Sequence, residues 1–359
     1  MAITYHAGRR IQGTSTDAIT VSGGWKQIGR TTLGNDASTI TVSSLADKRY
    51  LMVLTQGKTS ATNTDVAYQF NGDTTAKYAS RQKWNGGGND YVLNTQNHYR
   101  PLGTTGDQPF LNIDYISNKS NKEKLIIGHG AQLNATGLTD TMTREEHVAK
   151  WVNTLDSIDE VNAILANGGS GRNYRDGTEI VVLGYDPEDT HTTNFWEELA
   201  NVDYQGGSAL VASTPTFTAK KYLWVQAYVK QASGYASGMT FNGDTIRGST
   251  NYGFRYSGNG GTDVSSGSST WACVKNYSTL AGGGYFFNAF IVNNASDEKL
   301  VIGRTCENAG TTSGTAPNRM ETLGKWNDST NSITKVNIIG ESGSGNISNG
   351  TQIKVWGSN

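Results

Sequence analysis

The chain repeats itself, and that fact limits its folds more than any other. Lys48-Arg49-Tyr50-Leu51-Met52-Val53 returns as Lys220-Lys221-Tyr222-Leu223-Trp224-Val225. Phe70-Asn71-Gly72-Asp73-Thr74 returns unchanged as Phe241-Asn242-Gly243-Asp244-Thr245. Glu123-Lys124-Leu125-Ile126-Ile127-Gly128 returns as Glu298-Lys299-Leu300-Val301-Ile302-Gly303, and Lys150-Trp151 as Lys325-Trp326. Two further blocks, at Val161 and Gly177, return at Val336 and Gly350. The order is kept and the spacing between partners is nearly constant, so the chain is two copies of one domain, not a solenoid of short repeats. Copy one covers residues 22–186 and copy two residues 194–359. The polar segment 187–193 is too short to leave them independent, and residues 1–21 form an N-terminal arm with no counterpart.

Comparing the copies settles their secondary structure. Thr143-Arg144-Glu145-Glu146 has the form of a helix capping box. Its counterpart, Asn318 to Trp326, contains Gly324 and runs into Asn327-Asp328-Ser329-Thr330, a turn cluster. One fold needs one answer, so both stretches are read as a strand followed by a turn. From Tyr222 to Val229 the alternation is regular: Leu223, Val225, Ala227 and Val229 face one way, and Tyr222, Trp224, Gln226 and Tyr228 the other. Asn71-Gly72 and Asn242-Gly243 are read as hairpin turns, since both positions of a type I′ turn need positive φ. Many short strands broken by Gly, Asn and Ser predict an all-β fold of two tandem β-sandwiches. A domain of this length suits a jelly-roll-like sandwich better than an immunoglobulin domain.

Composition removes several functions. With 30 basic and 31 acidic residues the net charge is −1, which leaves no basic field for nucleic acid. No apolar run is long enough to cross a membrane as a helix. The start, Met1-Ala-Ile-Thr-Tyr-His, has no basic stretch before an apolar core, so no secretory signal is expected. Hydrophobic residues are only 35%, but 17 Tyr, 9 Phe and 8 Trp supply buriable surface, which argues against disorder. The two cysteines, Cys273 and Cys306, exclude a disulfide scaffold, and whether they pair is open from sequence.

Motifs for chemistry are scarce. Asn71 and Asp73, with Asn242 and Asp244, offer oxygens to calcium. A turn with a supporting Asp is the simpler reading, because calcium needs about six to eight oxygens. Arg144-x-Glu146-x-Val148-x-Lys150-Trp151 and Arg319-x-Glu321-x-Leu323-x-Lys325-Trp326 put charges on one strand face and Trp on the other. They read as a row of ion pairs with Trp in the core, in preference to a polar binding platform. His129 aligns with Arg304 and His147 with Thr322, so the fold requires neither histidine. There is no phosphate loop, no Gly-x-Ser-x-Gly elbow, and no identifiable acid pair for glycoside hydrolysis. Neither a catalytic residue nor a cofactor is expected. Trp84, Tyr91, Trp271 and Tyr277 lie near loop-rich stretches and are the candidates for stacking on sugar rings.

These features resemble virion structural proteins of tailed bacteriophages, particularly marine ones. The residues that carry the resemblance are Ile3 to Gly13, with the repeated Phe-Asn-Gly-Asp-Thr, Glu-Lys-Leu-x-Ile-Gly and Lys-Trp blocks. It implies a non-enzymatic role, first as a capsid decoration or cement protein. The arm residues Arg9, Arg10, Ile11 and Gln12 would then attach it to a neighbour by adding a strand. Its partners would be other virion proteins and further copies of itself, a trimer being one option, and it would be made in the host cytoplasm. The alternative is a tail-fibre or vertex-fibre protein that recognises surface glycans. A stand-alone carbohydrate-active enzyme ranks last. Copy two departs from copy one at Trp196-Glu197-Glu198-Leu199-Ala200, which puts its first strand in question.

Overall fold

A computed structural model describes residues 21–22, 24–137, 142–167, 171–187, 189–191, 194–232, 236–245, 250–270, 272–275, 283–307, 316–340 and 347–359. Arg9, Arg10, Ile11, Gln12, Trp271 and Tyr277 lie outside the described residues. After β1 (Val21–Ser22), copy one forms β2 (Lys26–Thr32), β3 (Thr39–Val42), β4 (Tyr50–Gly57), β5 (Thr64–Phe70), β6 (Tyr78–Trp84) and β7 (Tyr91–Gln96). It continues with β8 (Tyr99–Thr104), β9 (Phe110–Ser117), β10 (Lys124–Gln132), β11 (Thr143–Trp151), β12 (Val161–Ala166) and β13 (Glu179–Tyr185). The connecting strand β14 (Thr190–His191) pairs with β1. Copy two forms β15 (Glu197–Tyr204), β16 (Val211–Ser213), β17 (Tyr222–Lys230), β18 (Ser237–Phe241), β19 (Tyr252–Gly258) and β20 (Val264–Thr270). Its remaining strands are β21 (Val274–Lys275), β22 (Gly284–Val292), β23 (Lys299–Glu307), β24 (Asn318–Trp326), β25 (Val336–Gly340) and β26 (Thr351–Ser358).

Each copy is a sandwich of an eight-stranded and a four-stranded antiparallel sheet. The large sheets run β2-β13-β4-β9-β10-β11-β6-β7 and β15-β26-β17-β22-β23-β24-β19-β20. The small ones run β3-β12-β5-β8 and β16-β25-β18-β21. The two orders match strand for strand. Glu197–Tyr204 pairs with β26 as Lys26–Thr32 pairs with β13, each across a bulge, so the first strand of copy two survives its altered sequence. Thr143–Trp151 and Asn318–Trp326 are strands, as comparison of the copies requires.

The alternation in β17 holds: Leu223, Val225, Ala227 and Val229 enter the core of sandwich two. The repeated motifs converge on one corner of each sandwich. Lys124 sits opposite Trp151 across β10 and β11, and its ammonium lies 5.7 Å from the indole centroid. It donates to the carbonyls of Lys122 and Asn153 at 2.9 and 2.8 Å. Lys299 repeats this over Trp326 at 5.6 Å. Phe70 packs on Trp151 and Phe241 on Trp326. A buried ammonium persists here because carbonyls and an aromatic face replace its water.

One expectation is corrected. Asn71-Gly72 and Asn242-Gly243 do not close hairpins, because β5 and β18 lie in the small sheets while β6 and β19 lie in the large ones. The turn carries the chain between layers. Asn71 and Gly72 do take positive φ, at 52° and 64°; in copy two Asn242 does, at 51°, but Gly243 does not, so the expected pair of positive φ angles is found in copy one alone.

The outer faces of the two large sheets pack on each other. Met52, Leu54, Leu111, Ile113, Ala131 and Leu133 of sandwich one join Tyr222, Phe290, Val292, Leu300 and Leu323 of sandwich two in a third apolar cluster. Burying each of the Met, Leu, Ile, Val and Phe side chains among them contributes about 1.5–3 kcal/mol. Polar ties run beside it: Tyr222 donates to Glu179 at 2.6 Å, and Lys58 pairs with Asp297 at 2.5 Å.

Candidate functional site

The charged row on β11 forms ion pairs, as its alternation implies. Arg144 pairs with Glu146 on its own strand, and across the junction with Asp263 at 2.6 Å and Glu321 at 3.3 Å. Arg319 pairs with Glu321 at 3.5 Å. Burial, with Glu321 close by, raises the Glu146 carboxyl above its ordinary range. The calcium candidates are occupied by protein donors. Asn71 Oδ1 accepts the N–H groups of Asp159 and Glu160 at 2.9 and 3.1 Å, and Asp73 Oδ2 accepts the Trp151 indole at 2.9 Å. Asn242 Oδ1 accepts from Thr334 N–H at 2.9 Å, and Asp244 Oδ2 from the Tyr252 hydroxyl at 2.8 Å. These residues brace turns. Cys273 is buried, Cys306 is exposed, and both are free thiols.

The most site-like feature is a recess of about 630 Å³ at one end of sandwich one. Trp84 ends β6 and Tyr91 begins β7, and the two rings stack on its rim at 5.7 Å and 24°. Both are nearly half exposed, Trp84 at 43% and Tyr91 at 46%. The connection between them begins with Asn85 and Gly86, both at positive φ. Asn85 is tied to β11 in both directions at 2.9 Å, its N–H donating to Arg144 O and its Oδ1 accepting from Arg144 N–H. The aromatic pair therefore stands on an anchored turn.

Arg100 on β8 supports it from below. Its guanidinium lies 5.3 Å from the Tyr91 centroid and donates to Asp65 Oδ2 at 2.6 Å. Asn167 Nδ2 donates to the same oxygen. Amides and hydroxyls of Asn63, Asn134, Gln132, Thr104 and Thr143 complete the lining. Behind them Glu145 is buried on β11 and accepts the Gly103 N–H at 2.8 Å. Burial outweighs that bond and the Trp84 indole, and pushes the carboxyl up to about 8. Near neutral pH the recess holds one balanced ion pair and a protonated acid.

The copies differ here although their strands coincide. Trp84, Glu145 and Asp65 correspond to Gly258, Met320 and Ala236, so sandwich two lacks the aromatic rim and both acids. A second polar group is likewise confined to sandwich one. His147 Nε2 lies 2.5 Å from Asp114 Oδ1, and Tyr99 and Asn112 donate to Asp114 Oδ2 at 3.0 and 2.6 Å. The pair spans Gly128, where a Cβ would lie 2.0 Å from Asp114 and 2.2 Å from His147. Asp65, Arg100 and Glu145 escaped the sequence reading because they are scattered over three strands. The one available signal was that Asp65 and Glu145 correspond to Ala236 and Met320 in copy two, whereas Arg100 has a basic counterpart in Lys275.

No family model and no curated protein matches the chain. Among solved structures it is similar to mouse laminin alpha1 chain domains LG4-5, at 10% identity over 94% of this chain and 91% of that chain. The TM-score is 0.20, and a likeness at that level carries no argument.

Proposed function

We propose that this protein is a non-enzymatic glycan-binding protein of a virion surface, with the Trp84–Tyr91 recess as its sugar site. The carrying observation is the stacked pair on a rim lined by amides and hydroxyls. A sugar ring offers an apolar face to an aromatic and hydroxyls to amides, and the recess supplies both. Arg100 and the anchored turn preorganise the rim, which lowers the cost of binding. With Asp65 neutralised and Glu145 protonated, the recess suits neutral sugars over acidic ones. The virion setting rests on the sequence resemblance alone. A glycan array tests the reading: wild type binds a set of neutral glycans, and Trp84→Ala and Tyr91→Ala lose them while keeping the fold. No binding on a broad array, or equal binding by both variants, rejects it.

A further inference from the structure

The contact between the two sandwiches joins non-equivalent parts of the same outer sheet face. Sandwich two offers Leu300, Ile302 and Leu323, two of them 1% exposed. Sandwich one covers that patch with a second one, in which Gln56, Leu111 and Ala131 stand side by side across β4, β9 and β10. Those three are 3%, 1% and 0% exposed. Leu133 and Met142, at the two ends of the β10–β11 connection, seal the junction.

Because the chain is duplicated, each patch exists a second time. In sandwich one the counterparts of Leu300, Ile302 and Leu323 are Leu125, Ile127 and Val148, exposed by 57%, 58% and 47%. In sandwich two the counterparts of Gln56, Leu111 and Ala131 are Tyr228, Phe286 and Cys306, again side by side on β17, β22 and β23. Tyr228 and Phe286 are 47% and 43% exposed, and Cys306 is exposed too. Both uncovered patches have thus kept an apolar character that solvent does not call for.

Sequence argues that the β23–β24 connection does not seal them as the β10–β11 connection seals the internal contact. The residues matching Leu133 and Met142 are Asn308 and Pro317, and 308–317 contains no large apolar side chain. The free patch is also continuous with the internal contact. Ile127 stands beside Tyr115 on β9, and both line a crevice between the sandwiches with Ile302 and Phe290.

We propose that the chain self-associates head to tail. The Leu125–Ile127–Val148 patch of sandwich one takes the Tyr228–Phe286–Cys306 row of sandwich two from a second copy, repeating between molecules the kind of contact found within one. Such a contact is heterologous, so it closes into a ring or continues as a filament.

The test uses the full chain with sedimentation and light scattering. Wild type is expected to exceed the 38.6 kDa monomer mass as concentration rises. Leu125→Asp/Val148→Asp and Phe286→Asp alter surface positions, and each alone should give folded monomers, checked by circular dichroism. Mixed one to one, the two variants should form a dimer that grows no further, because each retains one intact patch. A wild type that stays monomeric at high concentration overturns the proposal. So does a Phe286→Asp variant that associates like wild type, or a mixture that remains monomeric although both variants are folded.

Discussion

His129 and Arg304 occupy the same place in the two copies, and in the folded chain they touch, with Arg304 Nη2 donating to the ring of His129. The rest of the contact joins non-equivalent parts of the two sheets, so this meeting of equivalents is local to the place where β10 and β23 cross. Glu146 and Glu321 are also equivalents, and both are bound by Arg144. Burial, together with Arg304, holds the His129 imidazole well below its ordinary pKa and therefore neutral. His129→Arg would set two guanidinium groups against each other and should lower the thermal midpoint. Exchanging the pair, His129→Arg with Arg304→His, should restore most of the loss in calorimetry. No recovery would mean that the contact depends on the surroundings of each residue more than on the pair itself.

Lys150 and Lys325 give a sharper contrast. Each pairs with the Glu of its own copy, Glu123 at 3.3 Å and Glu298 at 3.6 Å. The first pair is about half exposed. The second is buried, with Lys325 donating to the carbonyls of Ala135 and Gly137 and Gly137 N–H donating to Glu298 at 2.6 Å. Lys150→Ala should change unfolding free energy by under about 0.5 kcal/mol. Lys325→Ala should cost about 3–5 kcal/mol, because it leaves a buried carboxylate without its partner. Urea denaturation of the two variants decides this.

The acid behind the recess makes stability depend on pH. Glu145 is raised from 4.5 to about 8, so the folded state holds a proton that the unfolded state has released between those values. Its share of stability is full below about pH 4.5 and declines as pH rises towards 8. Glu145→Gln should flatten this slope, and denaturation at pH 5, 7 and 9 would show it. A wild-type slope unchanged by the substitution would place the effect elsewhere.

Removing Arg100 should damage the recess twice. Arg100→Ala takes away the partner of Asp65 and the support beneath Tyr91. Thermal unfolding should fall by several degrees, at about 2–4 °C per kcal/mol for a domain of this size, and glycan binding should weaken. Arg100→Lys should not rescue binding, since an ammonium lacks the planar group that lies against the tyrosine ring.

The duplication, the all-β class and the strand at Thr143–Trp151 were legible because a second copy acted as an internal control. Local patterns were legible as well: Asn71 and Gly72 announce a tight turn through positive φ. Which layers that turn joins was not, because the pairing of β5 with β12 and of β6 with β11 depends on contacts far along the chain. Trp84 and Tyr91 were found as exposed aromatics near loops. Asp65, Arg100 and Glu145 were not, because convergence across β5, β8 and β11 leaves no mark on local spacing. The row of charges on β11 was read as ion pairs, but its place at the junction of the sandwiches needed the fold.

The pairing of β1 with β14 ties the segment between the sandwiches back to the entrance of the first one. Two domains held this closely meet at a high effective concentration, so their contact survives dilution that would separate free partners. A tethered pair is released from the demand that both members stay alike. One can give up an aromatic rim or exchange a histidine for an arginine without losing its companion, and gene fusion becomes a licence for the halves to specialise.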